Sequence, residues 1–233
     1  LTAWAMRRAG MGPRMVARRL IAFMVLLYGV YAISVVLVGF LLWFHVLPGK
    51  APFGLTVIPA MIAGGIIIFM LAMALVPTDF ERRFARWSQT GEGRKRKIAL
   101  RLVTLPALIS IGLREAFAIL KARDFALVGA FLWWGLDIAT LWACFNAFGE
   151  SPTFAVLVMA YFVGMLGTML PLPGGVGGVE GGMIGAFIAF GEPSGLAIVA
   201  VLVYRCYSFW LPTIPGVIAY FQLRRTVSRW RGA

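Results

Sequence analysis

The chain is poor in acidic residues, histidine and cysteine. It carries 9 Asp and Glu against 22 Lys and Arg, with 1 His and 2 Cys. His45 stands alone near a predicted helix end, so no Ser–His, His–Cys or clustered metal-ligand arrangement can be assembled around it. Intramembrane catalysis is therefore the weakest functional class, and no metal or cofactor is expected. Cys144 and Cys206 both lie in apolar stretches and are read as small buried hydrophobes. The Gly-Lys-Ser/Thr signature of a nucleotide loop is absent, so coupling to an ion, a proton or a lipid gradient is expected rather than to ATP. No h-region with a small-residue cleavage site marks a signal peptide at the start. The first residue is Leu1, and the chain is expected to be an N-terminally incomplete stretch of a single transmembrane domain.

What is abundant is apolar surface. Hydrophobic residues make up 61% of the chain, with a mean hydropathy of +0.88, where soluble domains sit near about 45–50% apolar. The expectation is an all-α integral membrane protein with no room for a soluble catalytic domain. The formal net charge of +13 is crowded into a few flanks, as the positive-inside bias requires. Those flanks suit anionic lipid headgroups, and no nucleic-acid partner is expected.

Arg7, Arg8, Arg14, Arg18 and Arg19 precede an apolar run at 20–47. Pro48, Gly49 and Pro52 mark a turn before a second span at 53–77, and a dense basic stretch follows from Arg82 to Lys97. Segment 98–121 is apolar but interrupted by Arg101, Arg114, Glu115 and Lys121. It is expected to lie at the interface as an amphipathic helix bent at Pro106, within a cytoplasmic basic region at 78–123. A third span at 125–148 and a last one at 195–222 bring the total to about four full spans. The loops near 48–52, 150 and 192 hold one lysine, Lys50, and two glutamates, whereas the other flanks are basic. Both termini are thus expected in the cytoplasm, in a bacterial inner membrane.

Between the last two spans lies Leu170-Pro-Leu-Pro-Gly-Gly-Val-Gly-Gly-Val-Glu-Gly-Gly182. Pro171, Pro173, Gly174, Gly175, Gly177 and Gly178 cannot continue an ordinary helix. In lipid, such backbone persists only where protein covers it or where it lines a polar space. Apolar segment 179–190 rises only about 18 Å, too little to cross. The tip of 153–190 also lacks the Lys or Arg of a cytoplasmic loop. A re-entrant broken hairpin entering from the non-cytoplasmic face is expected. Pro212, Pro215 and Gly216 predict a second break in the last span, and paired discontinuities of this kind mark transporter binding sites.

Asp137, Glu180 and Arg205 are the ionisable residues inside apolar segments. Such groups are costly in lipid and usually paired. Asp137 lies about 18 Å along a helix from Gly149 and Arg205 about 15 Å from Gly195, which puts both near the midplane. Arg205 is expected to pair with Glu180, Asp137 or both. A purely packing pair is the plainer alternative, but it would not need the adjoining broken backbone. The helix that starts near Val176 offers N–H groups and a positive dipole end to an anion. An ionised Glu180 would occupy that end itself, and a neutralised one would leave the amides free. Trp133, Trp134, Trp142, Tyr204, Tyr207 and Trp210 are either belt anchors or walls of the polar space.

The stretch Pro171-Leu-Pro-Gly-Gly-Val-Gly-Gly-Val-Glu180, with Tyr204-Arg205, Leu211-Pro212 and Gly216 downstream, resembles the flippase-like transmembrane family that includes the membrane half of lysylphosphatidylglycerol synthases. The resemblance covers about 14–225. No aminoacyl-transferring domain follows residue 225, so lysine transfer is not implied. What the resemblance implies is movement of a polar or anionic lipid between leaflets. On this reading Arg205, Glu180, Asp137, Tyr204 and the backbone of Gly174, Gly175, Gly177 and Gly178 meet the headgroup. The alternative is a non-transporting membrane subunit that binds lipid and presents it to a partner enzyme; the expected partners are membrane lipid and a partner enzyme or a second copy in a homo-oligomer. Glu180→Gln is expected to slow lipid movement in liposomes, and an unchanged rate would remove any gating by this carboxyl.

Overall fold

The computed structural model describes residues 12–75, 113, 114, 116, 117, 121 and 125–231. Every regular element among them is helical. The principal helices are α1 (Pro13–Trp43), α2 (Phe53–Leu75), α3 (Phe125–Phe148), α4 (Phe154–Met165), α5 (Gly178–Phe190), α6 (Ser194–Arg205) and α7 (Leu211–Arg231). Two 3-10 turns, Leu166–Met169 and Pro173–Gly175, lie between α4 and α5, and a π turn, Cys206–Trp210, joins α6 to α7. Four stretches are long and apolar enough to cross a membrane: Met15–Trp43, Phe53–Ala72, Leu127–Phe148 and Ser194–Leu223. The chain is an all-α integral membrane protein.

Helix ends follow local chemistry. Pro13 opens α1 with its φ already set for helix. α1 stops at Trp43, short of the expected 47, because His45 takes a left-handed φ of 57° and Pro48 cannot extend a helix. Phe125–Phe148 coincides with the expected third span. The basic stretch 82–97 and most of the expected amphipathic helix, Pro106 included, lie outside the described residues. Of its end, Leu113 and Ala116 are buried while Arg114, Phe117 and Lys121 are exposed.

The chain divides into two compact units. The first takes its described residues from Leu1–Leu37 and Ala60–Trp133. Its buried side chains are mostly small: Val16, Ala22 and Ala32 on α1, Ala60 and Ala63 on α2, Ala130 on α3. Small residues let membrane helices approach closely. The second unit, Val38–Pro59 with Trp134–Ala233, is built around α4. Residues 155–162 of that helix are all buried, as expected of a helix apolar on every face. Gly164 lies so close to α5 that a Cβ there would sit 2.8 Å from the Met183 backbone. A Cβ on Gly167 would collide with the carbonyl of Gly178. As the chain advances from 164 to 167, its partner retreats from 183 to 178, so α4 and α5 form an antiparallel hairpin.

The non-basic loops of this unit gather at one end of the hairpin. Thr153 Oγ1 donates to Pro48 C=O at 2.9 Å. Gly49 abuts Val156 and Thr153, Gly149 abuts Leu196, and the Lys50 side chain lies against Gly191. Burial pushes the neighbouring Glu192 carboxyl above the usual range, and Lys50 partly offsets this. From that end, α5 rises about 20 Å to the hairpin tip.

The tip turns on three left-handed glycines, Gly174 and Gly175 (φ 66° each) and Gly177 (φ 82°). The second discontinuity is displaced from its expected place. Pro212, Pro215 and Gly216 lie inside continuous α7, and the irregular turn is Cys206–Trp210. There Leu211 N–H donates to Cys206 C=O, five residues back. Pro212 and Pro215 supply no N–H to the carbonyls of Ser208 and Leu211. The wide turn just upstream absorbs that loss, and Thr213 Oγ1 donates to Phe209 C=O at 2.6 Å.

Gly167→Ala presses on the Gly178 backbone, and Gly164→Ala on both the side chain and the backbone of Met183, so each is expected to cost about 1–3 kcal/mol by overpacking. Gly185→Ala meets nothing within 4 Å and is expected to be neutral or slightly stabilising. Thermal unfolding of the three variants in one detergent checks the ranking.

Candidate functional site

The second unit holds Asp137, Glu180 and Arg205 at two points, joined by the consecutive residues Tyr204 and Arg205 at the end of α6. The first point is Asp137 on α3. Its Oδ2 accepts the Tyr161 hydroxyl from α4 at 2.5 Å and the Tyr204 hydroxyl from α6 at 2.9 Å. One carboxylate thus ties three helices, and both tyrosines are fully buried. Their rings meet edge-on at 6.3 Å. Trp134, one turn before Asp137, lies edge-on to Tyr161 at 6.2 Å and to Phe162 at 5.8 Å. The two hydroxyls give the carboxylate hydrogen-bond partners in a place where an isolated charge would be very costly.

The second point is the ion pair of Arg205 and Glu180, with Nε to Oε1 at 2.8 Å. Arg205 is 6% exposed and Glu180 9%. Glu180 stands in the first turn of α5, and its Oε2 accepts the Gly177 N–H at 2.8 Å. The carboxylate therefore serves the helix end and the arginine at once. Pairing with Arg205 thus leaves the Gly177 amide occupied by the same carboxylate. Gly175 N–H is also used within the chain, on Leu172 C=O at 3.0 Å. Gly174 contributes its carbonyl rather than its amide, accepting from Arg205 Nη2 at 3.4 Å. Gly178 serves the close approach to Gly167.

Arg205 is the pivot of this group. Nε and one Nη2 hydrogen are engaged, and the Nη1 edge has no protein partner among the described residues. One face of the guanidinium is covered by the Phe209 ring, 4.6 Å from Cζ to centroid. Ser208 Oγ, one turn beyond Tyr204, is buried without a hydrogen-bond partner. The chemistry available is recognition of a charged or polar group by a guanidinium edge. Among the described residues no three of His, Cys, Asp and Glu gather as metal ligands.

Of the expected site residues, Arg205, Glu180, Gly174 and Gly177 meet directly, while Asp137 and Tyr204 form the adjoining cluster. Arg205 pairs with Glu180, and Asp137 is held by tyrosines instead. Trp133, Trp142, Tyr207 and Trp210 are exposed. Sequence reasoning missed Tyr161 and Phe209. Tyr161 had a legible signal, a lone hydroxyl in the middle of the apolar run 154–165. Phe209 had none, because phenylalanine is common throughout this chain.

Removing Arg205 strands Glu180 in a buried position. Arg205→Ala is expected to cost roughly 3 kcal/mol, and the Glu180→Ala/Arg205→Ala pair less than the sum of its singles. Denaturant unfolding through a double-mutant cycle reads this, and singles that add within about 0.5 kcal/mol would contradict a direct pair.

Residues 1–216 match the family model described as the lysylphosphatidylglycerol synthase TM region. Several archaeal proteins described as UPF0104 membrane proteins are similar over shorter stretches. One from Methanothermobacter thermautotrophicus is 40% identical over 87 residues, covering 37% of this chain and 25% of the relative. One from Pyrococcus horikoshii is 30% identical over 97 residues, 41% of this chain and 29% of the relative. One from Methanocaldococcus jannaschii is 31% identical over 97 residues, with the same coverage. The chain thus spans about a quarter to a third of the length of these relatives. No solved structure matches. With the family model covering nearly the whole sequence, the chain belongs to the lysylphosphatidylglycerol synthase transmembrane-region family.

Proposed function

We propose that this protein is a flippase-like lipid transporter that moves a polar or anionic lipid between leaflets. The headgroup meets the Arg205 guanidinium while the acyl tails remain in the bilayer. The observation that carries this reading is the buried Arg205 with its Nη1 edge unengaged, set beside broken backbone at Gly174. A pair needed only for packing would have little use for spare donors or for three left-handed glycines. Arg205 ends a helix that rises about 17 Å from the non-basic loop end, roughly the middle of a bilayer core. A phosphate is a fitting partner, since a guanidinium edge binds its oxygens two at a time.

In this proposal the 153–190 hairpin is re-entrant. Both of its ends lie with the loops at 48–50 and 191, which are poor in basic residues, and the basic termini face the cytoplasm. The role is transport rather than catalysis. The basic residues of 78–123 draw anionic lipid to the inner face.

Purified protein in liposomes of phosphatidylcholine and phosphatidylglycerol, with a trace of fluorescent phosphatidylglycerol and an external quencher, tests the reading. Wild-type protein is expected to expose inner-leaflet label. Arg205→Ala should slow this by roughly 10- to 100-fold, the worth of a charge-assisted hydrogen bond. Wild-type protein that retains lipid yet moves none is instead a subunit that presents lipid to a partner enzyme.

A further inference from the structure

The residue that covers one face of Arg205 is contributed by the π turn, and no expected site residue accounts for it. Phe209 makes two contacts from one ring. It covers the Arg205 guanidinium at 4.6 Å, and it lies over Gly174 so closely that a Cβ there would be 2.5 Å from its Cζ. The ring therefore spans the two elements that hold the ion pair, the end of α6 and the glycine tip of the hairpin. A bulky aromatic at this place shuts one side of the guanidinium from any approaching headgroup.

The element carrying Phe209 is built to move. A π turn is a widened, rare helical conformation that recurs at functional sites. Pro212 and Pro215 follow it and remove two helical hydrogen bonds from α7. Residues 211–222 of α7 are all exposed, on every side of the helix. These residues lie in the Ser194–Leu223 span, so a tilt of this part exchanges one set of acyl-chain contacts for another and breaks little packing within the chain. By contrast, Ala197, Ala200, Val201 and Tyr204 anchor α6 in the core with no exposed surface. The boundary between anchored and free helix falls on Cys206–Trp210.

We propose that Phe209 is the gate of the Arg205–Glu180 site and that the Cys206–Trp210 turn is its hinge. This rests on the transport reading above and deepens it. In the structure the ring lies over one face of the guanidinium, while the Nη1 edge has no protein partner among the described residues. A swing of α7 withdraws the ring from Arg205 and Gly174 and uncovers that face of the guanidinium beside its Nη1 edge. Restoring the stack of Phe209 on the guanidinium, a cation–π contact, covers that face again.

Ser208 supplies a reporter that does not depend on transport, because its Oγ is buried beside the ring's attachment point. In a Cys144→Ala/Cys206→Ser background, Ser208→Cys in phosphatidylcholine nanodiscs is treated with a water-soluble methanethiosulfonate reagent. With Phe209 present, modification is expected to be slow. Phe209→Ala should speed it about tenfold, the factor that a lost cation–π contact of 1–2 kcal/mol allows. Phe209→Leu keeps apolar bulk without the stack and should give a smaller rise in the same direction. Equal rates in all three proteins overturn the gate, as does failure of both variants to remain folded and monodisperse, which would make Phe209 a packing residue. Wild-type protein that moves no lipid but shows the Phe209-dependent rise defeats the transport reading alone. Wild-type protein that moves lipid with labelling indifferent to residue 209 defeats the gate alone.

Discussion

A buried arginine and glutamate, fastened to a stretch of backbone that cannot be helical, organise the second unit of this protein. Glu180 holds Arg205 with one oxygen and the Gly177 amide with the other, while Arg205 reaches on to the Gly174 carbonyl. The charge pair thereby fixes the end of α6 to the tip of the α4–α5 hairpin. In lipid neither partner would tolerate isolation, and the glycine tip has few groups of its own to hold it. Each feature answers a need created by the others.

The surrounding helices are arranged so that this pair is buried. α4 is buried on all sides and supplies the wall against which α5 packs through Gly164 and Gly167. Asp137, Tyr161 and Tyr204 bind α3, α4 and α6 into a second polar knot one residue away from the arginine. Because Tyr204 and Arg205 are adjacent, any displacement of the end of α6 is felt at both. Anchoring stops there, since the next five residues form the π turn and residues 211–222 of α7 are exposed.

Much of this was legible in the sequence. Long apolar runs bounded by proline, glycine and arginine give the membrane helices, because hydrophobic length and turn chemistry act locally. The Pro–Gly stretch at 170–182 announces broken backbone for the same reason. Three ionisable residues in apolar segments single out the site, since lipid makes unpaired charge so costly. Partner choice was not legible. Asp137 and Glu180 are alike as carboxylates, and only the rotation of each helix decides that Glu180 takes the arginine while Asp137 takes tyrosines. The second discontinuity was misplaced by several residues because proline marks where hydrogen bonds are lost, whereas the backbone adjusts upstream, in the turn that faces them. Phe209 escaped notice because an aromatic over a guanidinium depends on a π register that no residue type encodes.

Whether the Arg205 edge holds a lipid headgroup is answered most directly by native mass spectrometry of the protein extracted from membranes in mild detergent. The account predicts that wild-type protein retains a phosphate-containing lipid of defined mass and that Arg205→Ala, folded in the same detergent, has lost it. Equal retention by both proteins, or a bare wild-type chain, would contradict it.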